Sequence, residues 1–233
     1  MRGLMRFVTH HSGSSGNLYQ VIGDAGQLLI DPGVTITRIK KALGFKVSDV
    51  SACLCSHAHK DHAIAIQDIA RMGIDVYATQ ETMDKAGVAG HRAHIIKPRE
   101  QFAVAGFQIV AFPTQHDCPG SVGFLIADKS DKLVFATDTF YLRPLFKGLT
   151  IIAVECNYSE ETLMPGINSA LLQRIRSSHF SLDNVRVFFK KNDLAKVREI
   201  HLLHLSRDNA DPGYFRAEIE KLTGKPVYIG GHK

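Results

Sequence analysis

Apolar residues come in short runs divided by turn-forming clusters, with amphipathic stretches between the runs. Segments 6–10, 17–23 and 27–31 are strand-like and are separated by Gly/Ser and Asp-Ala-Gly turns, the spacing of a β-meander. Pro32-Gly33 ends the third run, and segment 37–43 then sets Ile39, Ala42 and Leu43 at helical intervals. The apolar run 50–55 predicts a buried strand. From 62 to 72, apolar Ala63, Ile64, Ile66, Ile69, Ala70 and Met72 suggest one amphipathic helix closed by Gly73. A strand at Asp75–Ala78 and a helix near 80–85 follow.

The second half reads as strands at 102–112, Val122–Ala127 and Lys132–Ala136, then a buried strand at 150–154. Segments 165–178 and Leu182–Lys191 are helical in pattern, 200–205 is a core strand, 211–222 is a helix and Val227–Ile229 a closing strand. No fixed-period repeat or linker-like composition shift interrupts the chain. The expectation is therefore a single α/β (α+β) domain over 1–233, with two sheets stacked face to face and helices outside.

Composition changes this picture little. The 233 residues are 45% hydrophobic and 22% charged, ordinary for a globular protein. The apolar runs are far shorter than the roughly 20 residues of a membrane span. The first residues lack the apolar core of a secretory signal, and Cys53, Cys55, Cys118 and Cys156 show no disulfide framework, so a reducing cytoplasm is expected. A formal charge of +5 is compatible with an anionic substrate, nucleic acid included. The 12 histidines say more, because several stand where apolar runs stop.

In His57-Ala-His59-Lys-Asp61-His62, four side chains able to bind a divalent metal follow a strand and precede a helix. Imidazole and carboxylate suit Zn, Mn or Fe rather than a soft thiolate site. His116, Asp138 and His204 also sit just past apolar runs. Singly, each histidine reads equally well as a hydrogen-bonded core residue and Asp138 as a turn residue. Beside the His57–His62 segment, metal ligation is the better account of the set.

These residues resemble the metallo-β-lactamase superfamily, through the His-x-His-x-Asp-His signature and its later partners in order. Gly13-Ser-Ser-Gly-Asn17 and Asp31-Pro-Gly33 are similar to that family's early strands and turn. The resemblance implies a four-layer αββα sandwich holding two divalent ions, Zn or Mn with Fe also compatible. His57, His59 and His116 would hold one ion, Asp61, His62 and His204 the other, with Asp138 bridging. Asp61 would also bond to a bridging hydroxide, the nucleophile such a pair generates near neutral pH.

Within the superfamily, Glu155-Cys-Asn157, Arg174-Ile-Arg176-Ser-Ser-His179-Phe-Ser181 and His204-Leu-Ser206 resemble the YycJ/WalJ branch of DNA exonuclease-like enzymes. More distantly they resemble transfer-RNA 3′-processing endonucleases. That resemblance implies Glu155 orienting His179, which protonates the leaving oxygen. Arg174, Arg176, Asn157, Ser181 and Ser206 are candidate substrate contacts. Lys190, Lys191 and Arg207 extend a phosphate track if they are more than a solvated face, and Ser181 also reads as a helix cap. The interval between Asp138 and His204 is too short for a β-CASP insertion, and the stretch after His204 too short for a glyoxalase II-like helical domain. The expected function is a binuclear phosphodiesterase or nuclease acting on DNA or RNA. The alternatives are a cyclic-nucleotide phosphodiesterase or lactonase on the same site, or a metal-dependent sensing module without turnover.

Overall fold

The computed structural model describes residues 3–231. The meander forms as β1 (Arg6–His11), β2 (Leu18–Ile22) and β3 (Gln27–Ile30), all antiparallel. To β3 the chain adds β4 (Ala52–Leu54), β5 (Asp75–Ala78) and β6 (Ala93–Ile95) in parallel, giving a six-stranded sheet in sequence order. Helices α1 (Ile36–Ala42), α2 (Lys60–Ala63), α3 (Ile66–Arg71) and α4 (Gln80–Ala86) make the crossovers.

The second sheet begins with antiparallel β7 (Gln101–Val104), β8 (Phe107–Pro113), β9 (Val122–Ala127) and β10 (Lys132–Ala136). It continues in parallel through β11 (Ile151–Glu155), β12 (Glu199–Leu203) and β13 (Val227–Ile229). Helices α5 (Ser169–Ser178), α6 (Leu182–Lys191) and α7 (Pro212–Thr223) follow β11 and β12.

Period-two alternation builds the layers. Leu28 and Ile30 point between the sheets with Phe107, Phe124, Phe135 and Ile151, while Leu29 points outward onto Ile39, Ile66 and Ile69. On the other sheet, Ile151 and Ala153 face inward, and Ile152 and Val154 face Leu182, Phe188 and Phe215. The result is the αββα sandwich. Among the described residues, no helix is long and apolar enough to cross a membrane.

Four expectations change. The single helix over 62–72 is two, α2 and α3, because the Ala65 amide bonds the Pro32 carbonyl at 3.0 Å and bends the chain against the 31–33 turn. The strand over 102–112 is the β7–β8 hairpin. Its Ala105-Gly106 corner has φ of 55° and 81°, a tight reversal that alternation across the corner conceals. The helix placed at 165–178 starts only at Ser169, where the Asn168 side chain accepts the amides of Ala170 and Leu171. β6 was not anticipated at all.

Parallel register brings Ala136, Glu155 and Leu203 to one edge of the second sheet, so the residues that follow open on a common cleft. On the first sheet, Ile30 pairs Leu54, which brings the 31–33 turn beside the His57–His62 segment. The Asp61 carbonyl accepts the Asn17 amide at 2.8 Å, and Gly33 lies against the same peptide. A Cβ on Gly33 would stand 1.7 Å from that carbonyl oxygen. Gly33→Ala must therefore displace the Asp61 backbone, and roughly 3 kcal/mol of destabilisation is expected. Gly44→Ala, where a Cβ meets nothing within 4 Å and only the φ of +57° is at stake, should cost about 1 kcal/mol. Denaturant melts of both variants check the contrast, and similar midpoints for the two would contradict it.

Candidate metal centre

The site is built from imidazoles whose ring orientation is set from behind. His62 Nδ1 donates to Asp31 Oδ2 at 2.8 Å. Asp31 also accepts the Ser56 amide at 2.8 Å and the Ser56 hydroxyl at 2.9 Å. Ser56 Oγ in turn lies 3.0 Å from His57 Nδ1. His116 Nδ1 donates to the Ser178 carbonyl at 3.1 Å, and His204 Nδ1 to Glu155 Oε1 at 3.2 Å. In all four rings the Nδ1 proton is spent on a fixed acceptor. Nε2 is thereby the ring atom left to face inward, the arrangement by which proteins orient metal-binding histidines.

Asp138 stands at the centre of these nitrogens. Its Oδ2 is 3.6 Å from His57 Nε2 and 3.5 Å from His116 Nε2. Its Oδ1 is 3.5 Å from both His62 Nε2 and His204 Nδ1. His59 approaches with the other ring atom, Nδ1 being 3.1 Å from His116 Nε2. Asp61 Oδ2 lies 3.6 Å from His62 Nε2 and 3.5 Å from His204 Nε2. Donor atoms of His57, His59, His116 and Asp138 fall within 4.8 Å of one another, as do those of Asp61, His62 and His204. His57 Nε2, Asp138 Oδ1 and His204 Nε2 are buried with no hydrogen-bond partner. Orphaned buried donors and acceptors are costly, and a cation among them satisfies all three. The nitrogen and oxygen donor set fits a divalent ion of the zinc or manganese type.

Backbone strain delivers three of these carboxylates and rings. Asp31, Asp138 and His204 have φ of 56°, 46° and 51°, left-handed values that non-glycine residues rarely adopt. Asp31 and His204 come directly after a strand and Asp138 one residue later, so the twist turns each side chain away from its sheet and into the cleft.

Charge is concentrated here. Burial alone would lower His204, but the nearby carboxylates of Asp138, Asp61 and Glu155 outweigh it, and its pKa is pushed up to about 10. His62 moves in the same direction, burial being overcome by Asp138 and Asp31. Asp138 is held well below the carboxylate range, since the charges of His204 and His62 overcome its burial.

Beside the cluster, buried Glu155 accepts His179 Nδ1 at 2.6 Å through Oε1, and the Thr139 and Phe180 amides at 2.9 and 3.1 Å through Oε2. Desolvation lowers the His179 pKa, but the charge of Glu155 more than restores it, and the net shift is upward. The His179 ring lies parallel to that of His204, with centroids 5.6 Å apart.

A cleft of about 520 Å³ opens over these groups, lined among others by Asp61, His116, His179, Arg174, Asn157 and Ser206. Asn157 Nδ2 donates to the His204 carbonyl at 2.7 Å, and its own carbonyl accepts the Ser206 amide. Two anticipated contacts lie elsewhere. Arg176 is paired with Glu160 at 2.5 Å, since its side of α5 turns away from the cleft. Ser181 caps α6 by accepting the Asn184 amide at 3.2 Å. Lys191 reaches the Tyr141 hydroxyl, so of the anticipated basic track only Arg174 lines the cleft, where its Nε bonds Asp117. Asp31, Asn17 and Asp117 were missed as site residues. Asp31 carries a signal like that of Asp138, an acid where an apolar run stops.

Residues 27–202 match the family model described as the beta-lactamase superfamily domain. The chain is 30% identical over 218 residues to exodeoxyribonuclease WalJ of Streptococcus pneumoniae serotype 2, covering 85% of this chain and 80% of that protein. It is 25% identical over 221 residues to exodeoxyribonuclease YycJ of Bacillus anthracis, covering 88% and 84%. In structure it resembles the metallo-beta-lactamase fold protein YhfI from Bacillus subtilis, with a TM-score of 0.76, 16% identity and 99% of both chains covered.

Two outcomes test the centre. Because His204 and His62 hold protons that an ion must expel, loading with Zn or Mn should release protons, and affinity should rise from pH 6 towards pH 9. Calorimetry in two buffers of different ionisation enthalpy reads that release, and identical heats would contradict it. Asp31→Asn, which weakens the acceptor behind His62, should reduce metal affinity by about 10–100-fold in a chelator competition.

Proposed function

Because the chain belongs to the beta-lactamase superfamily, we propose that it is a metal-dependent hydrolase that cleaves phosphodiester bonds in DNA. One observation carries the choice of reaction: a buried carboxylate, Glu155, holds His179 at 2.6 Å beside the ligand cluster and on the wall of its cleft. The alkoxide leaving an unactivated phosphodiester is a strong base, so its departure gains much from such a dedicated acid. Two relatives named as exodeoxyribonucleases and the net charge of +5 support the same substrate class.

His57, His59 and His116 would hold one divalent ion and Asp61, His62 and His204 a second, with one oxygen of Asp138 turned to each set. When bound, the ions supply an activated water and neutralise charge on the phosphoryl oxygens. The remaining work falls to side chains. Asp61, part-exposed at the cleft, accepts a hydrogen bond from the attacking water and fixes its direction. Glu155 accepts the Nδ1 proton of His179, which holds the ring in place and favours its charged form near neutral pH. His179 then gives a proton to the departing oxygen, the alcohol being a far better leaving group than the alkoxide. Arg174 meets the anionic substrate, exchanging Asp117 for a phosphate oxygen. Asn157 and Ser206 shape the wall beside His204.

The metal-loaded protein should cleave bis-p-nitrophenyl phosphate and single- or double-stranded DNA. Lactone opening without phosphodiester cleavage would overturn the proposal. His179→Ala should reduce DNA cleavage by about 10²–10⁴-fold, yet reduce release of p-nitrophenolate far less, because that ion hardly needs a proton to leave. Equal losses on both substrates would mean that His179 is structural.

A further inference from the structure

A second cavity, of about 580 Å³, borders the centre, and His116 lines both it and the cleft that holds His179. Its walls are stiff. Pro98, Pro113 and Pro119 line it, and Thr79 Oγ1 donates to the Gly120 carbonyl at 2.8 Å, tying the loop that carries His116 to the start of α4. That approach is close enough that a Cβ on Gly120 would stand 2.6 Å from Thr79 Oγ1. Ile95 is 45% exposed on this wall although it belongs to β6. Lys97 lines the same trough, and Lys85 Nζ comes within 4.0 Å of Cys118 Sγ on its wall, against one lining acid, Glu81.

The position of the acid gives the two cavities different tasks. In the hydrolysis, the water oxygen bonds to phosphorus as the bond from phosphorus to the departing oxygen breaks. His179 protonates that oxygen, and the proton lost by the water restores His179 through solvent. The departing alcohol therefore lies on the His179 side, and the fragment that keeps the phosphate must leave the centre in another direction. Each cavity falls within the roughly 300–1,000 Å³ of a small-ligand site, room for a nucleotide-sized group on either side.

We propose that the strand runs through the centre: its phosphate-keeping fragment lies in the trough beyond His116, where Ile95 packs on a base and Lys97 meets a backbone phosphate. This rests on the phosphodiesterase reading above. It makes the preferred substrate a DNA strand with nucleotides on both sides of the cut, and it makes Ile95 and Lys97 determinants of that preference.

The test compares the metal-loaded protein with its Lys97→Ala and Ile95→Asp variants on oligothymidylates and on bis-p-nitrophenyl phosphate, whose retained group is too small to fill the trough. Each variant should raise KM for the oligothymidylate about tenfold, the loss of one charged or packed contact, and leave bis-p-nitrophenyl phosphate unchanged. Lys97→Ala should also lower the salt dependence of oligonucleotide binding by about 0.7 in the log–log slope. In the unaltered protein, a photoreactive thymidine on the phosphate-keeping side of a non-hydrolysable linkage should crosslink to the peptide carrying residues 95–98. Unchanged KM for the oligothymidylate, equal losses on both substrates, or crosslinking to α5 overturns the inference and leaves the phosphodiesterase proposal standing. Failure of the unaltered protein to cleave any phosphodiester overturns both.

Discussion

The arrangement depends on keeping the Asp138 carboxylate charged inside the protein. A carboxylate in that position is tolerable only if positive charge faces both of its oxygens. The rings of His57 and His116 face one oxygen, and those of His62 and His204 face the other. Beside Oδ1, His62 and His204 are drawn upward by the carboxylates around them, whereas beside Oδ2 burial and the neighbouring His62 draw His57 well downward. Protons therefore answer only the Oδ1 side of Asp138, and a cation between the rings would answer both. Asp31, Ser178 and Glu155 hold the rings in orientations that serve both.

Sequence patterning revealed the layers and most of the centre because both follow one simple rule. Buried strands are short apolar runs, and a polar residue directly after such a run is held at a sheet edge. That rule located Asp138, Glu155 and His204. It applies equally to Asp31, where the Pro and Gly that follow read as a turn and mask the acid. It could not find β6, whose three residues Ala93, His94 and Ile95 are part-buried or exposed and carry no apolar signature. Nor could it separate Arg174 from Arg176. Both are on α5, and only the packing of that helix decides that one meets the cleft and the other meets Glu160.

Ser181 shows the same limit from the other side. A serine two residues past a histidine in the cleft is as suitable for a phosphate as for a helix amide. The register of α6, which starts at Leu182, decides for the amide. Local chemistry restricts what a side chain can do, and the direction it faces is a tertiary property.

The bond from His116 Nδ1 to the Ser178 carbonyl joins the centre to the end of α5, and the next residue in the chain is His179. In the reaction proposed above, the ion-holding role of His116 and the proton-donating role of His179 would therefore share one mechanical attachment. Whatever draws α5 towards the cleft shifts both together. By thermodynamic linkage, whatever factor a ligand that seats α5 applies to the hold on metal, metal applies the same factor to the hold on that ligand.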